Sequence, residues 1–148
     1  MIRTKNRLRL CRVLILLNLI FIWGNSLLPG EVSAAFSDWV KNLLLPLLPA
    51  GMETVGGGGL LRKVAHFTEF AFLGICLGWL KSMLEKKPWT GVFWGGLAAC
   101  VDETIQIFVP DRGPGIKDVA IDVLGVCTGI FLLIFGHTLL KKQKNHTF

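Results

Sequence analysis

The chain has 148 residues, enough for one ordinary domain, but 52% of them are hydrophobic and only 18% charged, a balance too apolar for a soluble domain of this size. Sixteen Lys and Arg against ten Asp and Glu leave a formal charge of +6. Those charges sit at the ends of apolar runs while Phe and Trp lie inside them, so the basic face with stacking aromatics that nucleic-acid binding needs is missing and no nucleic-acid partner is expected.

The first apolar run, Val13 to Leu28, follows Arg3, Lys5, Arg7, Arg9 and Arg12 and stops at Pro29-Gly30. It fits a transmembrane helix or a signal peptide. Pro29, Gly30 and Glu31 separate it from the small residues Val32-Ser33-Ala34-Ala35, and it is long for a signal core, which favours a retained anchor. Next comes a segment, 29–62, in which Val32, Phe36, Trp39, Val40, Leu43, Leu44 and Leu47 recur at helical spacing opposite Ser37, Asp38, Lys41 and Asn42. This pattern predicts a short helix lying in the membrane interface with Trp39 as its anchor, broken by Pro46 and Pro49 and followed by a Gly56 to Gly59 hinge. Three further runs, 64–80, 89–108 and 119–140, each approach the roughly 20 residues needed to cross hydrocarbon.

The expected fold is therefore a single all-α membrane domain over 1–148 with four transmembrane helices, without internal repeats. Basic residues gather in the N-terminal arm, at Lys81, Lys86 and Lys87, and at Lys141, Lys142 and Lys144, which predicts both termini in the cytoplasm. Spans two to four each carry a small-xxx-small step, Gly74 and Gly78, Gly91 and Gly95, Gly125 and Gly129, as expected of closely packed helices in lipid. The cysteines Cys11, Cys76, Cys100 and Cys127 form no CxxC pair and read as small hydrophobes.

An ionisable side chain within a span costs several kcal/mol unless it faces protein, water or a partner. Span two opens with Lys63, His66 and Glu69; span three ends with Asp102, Glu103 and Gln106; span four opens with Asp118 and continues to Asp122. At about 1.5 Å per residue these groups fall within roughly one to two helical turns of the same face of the membrane, the outer one in this topology. The loop 109–117 lies above that layer, and its Pro and Gly residues make a constrained turn able to aim Arg112 and Lys117 inward, Arg offering a planar fork for phosphate oxygens. Plainer roles stand beside these: Lys63 snorkelling at a helix start, Asp118 as an N-cap, Glu103 neutralising a cation. Asp102 and Glu103 are adjacent, about 100° apart on a helix, and should serve different partners.

Lys63-Val-Ala-His66-Phe67-Thr-Glu69-Phe70, Asp102-Glu103-Thr-Ile-Gln106-Ile-Phe108-Val-Pro110-Asp111-Arg112 and Asp118-Val-Ala-Ile-Asp122-Val-Leu-Gly125, in that order, resemble the VanZ-like family of small bacterial membrane proteins. Asn25-Ser26 and Pro29 fit the family's start. The resemblance implies four membrane helices in the bacterial cytoplasmic membrane, an association with low-level resistance to teicoplanin-type glycopeptides, and kinship with membrane enzymes acting on lipid phosphate head groups. It maps the family's polar set onto His66, Glu69, Asp102, Glu103, Gln106, Arg112, Asp118 and Asp122. This chain departs at Asp111, where Gly more often precedes the Arg, and at Asp122, where Asn is frequent.

Together with the resemblance, these features lead to the expectation of an outer-leaflet pocket that binds the phosphate head group of a membrane lipid, with cleavage or exchange of that group as a further expectation. Arg112 with Lys63 or Lys117 is expected to hold the phosphate and His66 to act as base or nucleophile, tuned by Glu69, Asp102 or Glu103 with Gln106 in the same layer. Asp118 and Asp122 suit orienting a hydroxyl or binding a divalent cation. The rival is a non-enzymatic binder of a lipid-linked envelope precursor or lipophilic antibiotic, and a third reading is a purely structural polar network. With polar groups in the outer half alone, no pathway crosses the inner half and a transporter is disfavoured. The topology predicts that, in intact cells, an impermeant thiol reagent labels a cysteine introduced at Gly57 but not one at Lys144; the reverse pattern overturns the orientation.

Overall fold

The computed structural model describes residues 2–44, 58–113 and 115–145, and it is all-helical, with no strand among the described residues. Five helices follow in order: α1 (Ile2–Ser26), α2 (Gly30–Leu44), α3 (Gly58–Met83), α4 (Trp89–Ile107) and α5 (Ile116–Asn145). α1 and α3 begin well before the apolar runs they contain, because the Arg, Lys and Leu residues upstream are good helix formers. α1 stops at Ser26, just short of Leu28-Pro29, where proline disfavours helical backbone in its predecessor. After α3, Glu85 adopts a φ of 54° and the Lys86 N–H donates to Lys81 O at 2.9 Å, closing the helix end. The expected residue Leu47 and the first half of the glycine hinge lie outside the described residues, whereas Gly58 and Gly59 belong to α3.

α3 is the centre of the bundle and touches the other four helices, most extensively α5. The Cys11 thiol donates to Cys76 O and Asn25 Nδ2 to Glu69 Oε1, so α1 runs antiparallel to α3. Gly125 lies against Phe67 and Gly129 against Ala71 and Ile75, so α3 and α5 are parallel; Gly95 against Val126 and Gly91 against Ile130 make α4 antiparallel to α5. These directions gather the C-terminal ends of α1 and α4 with the N-terminal ends of α3 and α5. All three expected glycine pairs occupy helix crossings, and at Gly74 and Gly129 an added Cβ would fall on the carbonyl oxygens of Val126 and Ala71.

The apolar surface of the bundle points outward. Leu16, Leu17, Ile20 and Phe21 on α1, Phe93 and Trp94 on α4, and Phe131 and Phe135 on α5 are all exposed, as an apolar solvent would require. α2 follows the same rule: Ser33 and Ser37 are buried, with the Ser37 hydroxyl donating to Ser33 O at 2.9 Å, while Val32, Phe36, Trp39 and Leu43 face away from the protein. Two helical stretches, Thr4–Ser26 and Ile116–Gln143, are long and apolar enough to cross a membrane by length and composition. α3 and α4 are not among them, for they carry Arg62, Lys63, His66 and Glu69 or Asp102, Glu103 and Gln106.

Gly129→Ala should weaken the bundle by about 1–3 kcal/mol or more, because backbone and not a flexible side chain opposes the new methyl group. Gly91→Ala, which meets the end of the Ile130 side chain at 3.1 Å, should cost less, and Gly24→Ala, with nothing within 4 Å, should be neutral. Thermal unfolding of the three variants in detergent checks that order.

Candidate functional site

The gathered helix ends form a polar core. Of the side chains that are almost wholly shielded, Asp102, Gln106, Asp122 and Ser26 stand beside Phe70, Ile22, Leu73 and Val126, so the packing at this end is polar where the rest of the bundle is apolar. Helical spacing explains the assembly. Arg62, His66 and Glu69 lie within two turns of α3, Asp102 and Gln106 are one turn apart on α4, and Asp118 and Asp122 one turn apart on α5.

His66 Nδ1 lies 3.8 Å from Asp102 Oδ2, close enough for charge stabilisation. Gln106 Nε2 donates to the same Asp102 oxygen at 2.8 Å and to Ser26 Oγ at 3.2 Å, tying α4 to the end of α1. Glu103 points elsewhere: its Oε2 accepts the Gly115 N–H at 2.9 Å, satisfying a donor at the start of α5, where a carboxylate also complements the helix dipole. The adjacent carboxylates thus have different partners, as expected, and Glu103 meets a backbone donor while it also lines the cavity with Arg62 and Lys63. Glu69 is not beside the pocket; Asn25 Nδ2 donates to its Oε1 at 3.3 Å on the α1 side.

A cavity of about 230 Å³, including its open mouth, is lined by Arg62, Lys63, His66, Glu103, Gln106, Asp118, Ile121 and Asp122. Its interior admits about one water-sized group, so it suits an ion, a water or a single phosphate oxygen more than a whole head group. Several buried polar atoms have no hydrogen-bond partner, notably Asp102 Oδ1 and both carboxylate oxygens of Asp122. Such atoms carry the full desolvation cost of an unmade bond.

Arg112 departs most from the expected placement. Its Nε donates to Leu28 O at 3.0 Å and its Nη2 to Asn25 O at 3.0 Å, so the fork grips the end of α1 where phosphate recognition was expected. Burial first, then the Arg62 charge, pulls its pKa below the ordinary guanidinium value, with Asp102 and Glu103 opposing; Arg remains cationic at neutral pH. The same loop contacts α2 through the Gly30 N–H, which donates to Pro110 O at 3.0 Å, and a Cβ at Gly30 would collide with Asp111 O. Asp111 itself has a φ of 58°, in the left-handed region that Gly occupies at no cost and Asp tolerates, which accounts physically for a Gly preference at this position. Lys117 is exposed and lies outside the cavity lining.

The structure therefore brings His66, Asp102, Gln106 and Asp122 into one cluster with Glu103, Asp118 and Lys63 around the cavity, while Glu69, Arg112 and Lys117 do not line it. Arg62 and Ser26 are the residues that sequence reasoning did not assign. Arg62 sits one turn before His66, and carrying the α3 helical pattern upstream of Lys63 would have found it.

An outward apolar surface, two helices long and apolar enough to cross a membrane, and a buried His–carboxylate cluster at one end point to a small membrane protein with a polar pocket. The VanZ/LLP1 family model matches residues 9–139, and the chain belongs to that family. No curated protein and no solved structure matches it.

Arg112→Ala removes two charge-assisted bonds that join the α4–α5 loop to α1, each worth about 1.5–3 kcal/mol. Arg112→Lys, with one ammonium in place of the fork, should recover only part of the loss. The expected outcome is a stepwise fall in melting temperature from wild type through Lys to Ala, measured on detergent-purified protein.

Proposed function

We propose that this protein binds the phosphate-bearing head group of a membrane lipid at the outer face of the bacterial cytoplasmic membrane and cleaves or exchanges its phosphoester. In this reading α1, α3, α4 and α5 all cross the bilayer. At 1.5 Å per residue the 26 residues of α3 and 19 of α4 reach about 39 and about 28 Å, comparable with a hydrocarbon core of about 30 Å. The polar end faces outward, and the basic clusters at the other end remain in the cytoplasm. α2, with its outward Phe36, Trp39 and Leu43, lies in the interface beside the pocket mouth.

The observation that carries this reading is the sharing of Arg62 between the polar cavity and a groove of about 540 Å³ lined by Gly30, Ala34, Ser37, Asp38, Gly59 and Arg62. A head group lying in that groove at the level of α2 would present a phosphate oxygen to the narrow cavity. Arg62 and Lys63 are the cations that line the cavity, whereas Arg112 donates to the end of α1 and Lys117 lies outside the lining. His66 takes a proton from the attacking water or hydroxyl; the new P–O bond forms as the ester P–O bond breaks, and the proton passes to the leaving oxygen. Asp102, held by Gln106, stabilises the imidazolium formed on the way.

Narrowness of the cavity favours a second reading, in which the head group of a lipid-linked precursor or a teicoplanin-type lipophilic glycopeptide rests at the mouth and is bound without turnover. Protein in nanodiscs of phosphate-bearing and neutral lipids separates these readings. Arg62→Ala should weaken retention of the phosphate lipid about tenfold to a hundredfold, the equivalent of one charge-assisted bond. His66→Gln should reduce lipid turnover by about 10²–10⁴ while leaving binding in place. Equal retention of neutral and phosphate-bearing lipid rejects the head-group reading; binding unaffected by His66→Gln with no turnover in wild type leaves the binder.

A further inference from the structure

We infer that His66, Asp102 and Asp122 form a divalent-cation site of Zn²⁺ or Mn²⁺ type. All three are buried, at 7%, 0% and 1% exposure, and the atoms each would offer lie within 4.8 Å of one another. They come from three different helices, α3, α4 and α5, so the grouping is a product of the bundle and not of local sequence. Two ligands of one ion with bonds of about 2.1 Å stand at most about 4.2 Å apart, so small side-chain rotations close the cluster onto a metal.

The second observation is independent of this proximity. Both oxygens of Asp122 and Oδ1 of Asp102 are buried without any hydrogen-bond partner, although almost every buried carboxylate oxygen in a native protein has one. Among the described residues no cationic side chain donates to these oxygens: Arg112 Nε and Nη2 donate to Leu28 O and Asn25 O, its Nη1 has no partner, and Arg62 and Lys63 line the cavity. A dication offsets two carboxylate charges and uses the lone pairs that the protein leaves unmatched. One imidazole nitrogen with two carboxylates suits Zn²⁺ or Mn²⁺ better than Ca²⁺ or Mg²⁺, which prefer oxygen-only shells. Gln106 supports the site from behind by donating to the second oxygen of Asp102.

The site differs from the pair expected from sequence. Asp118 lines the cavity but does not belong to the ligand group, and His66 and Asp102 complete a set with Asp122. His66 and Asp122 also line the cavity, whose room for about one water-sized group leaves an open coordination position beside three protein ligands. With a cation bound, His66 serves as a ligand in place of its role as base, and under the lipid reading the open position takes a phosphate oxygen and offsets the repulsion between an anionic head group and the carboxylates. The metal site does not itself depend on that reading.

The test uses the full chain purified in detergent without added lipid, stripped with chelator, equilibrated with Mn²⁺ or Zn²⁺, and analysed for bound metal with Mn²⁺ resonance spectra as a second readout. One ion per chain is expected in wild type. Affinity should fall at least a hundredfold in Asp122→Asn, Asp102→Asn and His66→Gln and stay unchanged in Asp118→Asn and Glu69→Gln. Helicity and elution volume are measured on every variant, and the three ligand positions provide separate tests if one variant does not accumulate. Wild type that binds no more metal than the detergent blank overturns the proposal, as does stoichiometric binding that survives the ligand substitutions. Phosphate-lipid retention that persists in chelator while metal binding is absent rejects the cation and leaves the lipid reading standing.

Discussion

The close crossing of α3 and α5 is the constraint on which the rest of the structure depends. Gly74, Gly125 and Gly129 let the two backbones meet where any side chain would strike a carbonyl oxygen or the neighbouring backbone. His66 precedes Phe67, one of the residues seated on Gly125, and Asp122 lies one turn before that glycine, so the same crossing sets the separation of the two polar side chains. α4 then packs its own Gly91 and Gly95 against Ile130 and Val126 of α5, bringing Asp102 and Gln106 to the same level. The hydrophobic effect, which drives helix association in water, does not act between helices in lipid, so van der Waals fit at such crossings does more of the ordering there.

That tight packing makes a polar core affordable at only one end. Away from it, Leu73, Leu77, Ala98, Ala99, Val126 and Ile130 fill the interior with small and branched apolar side chains. At the other end, Asp102, Gln106 and Asp122 take equivalent interior positions and exchange only part of their hydration for protein hydrogen bonds. A bundle optimised for stability alone would have placed apolar residues there, since replacing buried charged groups by well-packed apolar ones is often neutral or stabilising. The unmatched oxygens of Asp102 and Asp122 add to that cost, and they are the groups the proposed cation would meet.

Arg112 illustrates how a residue with a binding signature can serve architecture. Its planar fork matches two carbonyl oxygens at the α1 terminus as well as it would match a phosphate, and the geometry of the loop decides between them. By holding Asn25 and Leu28 it also fixes Ser26, which meets Gln106, and Asn25, which meets Glu69. Its link to the polar core is consequently positional, through the end of α1.

Sequence by itself determined the helical class, the four apolar runs, the glycine pairs, the amphipathic helix after the first run and the concentration of polar residues at matching helix ends. Those features follow from composition and from a period of 3.6 residues, both local properties. Sequence also separated Asp102 from Glu103, because adjacent helical positions cannot face the same way. Only the tertiary structure decided that Asp102 joins His66 and Asp122 while Glu103 turns to Gly115, that Glu69 belongs to Asn25, that Arg62 rims the cavity, and that Arg112 points to α1. Those outcomes depend on the rotation of each helix about its axis and on the path of the loops, which are set by contacts between residues up to 87 positions apart.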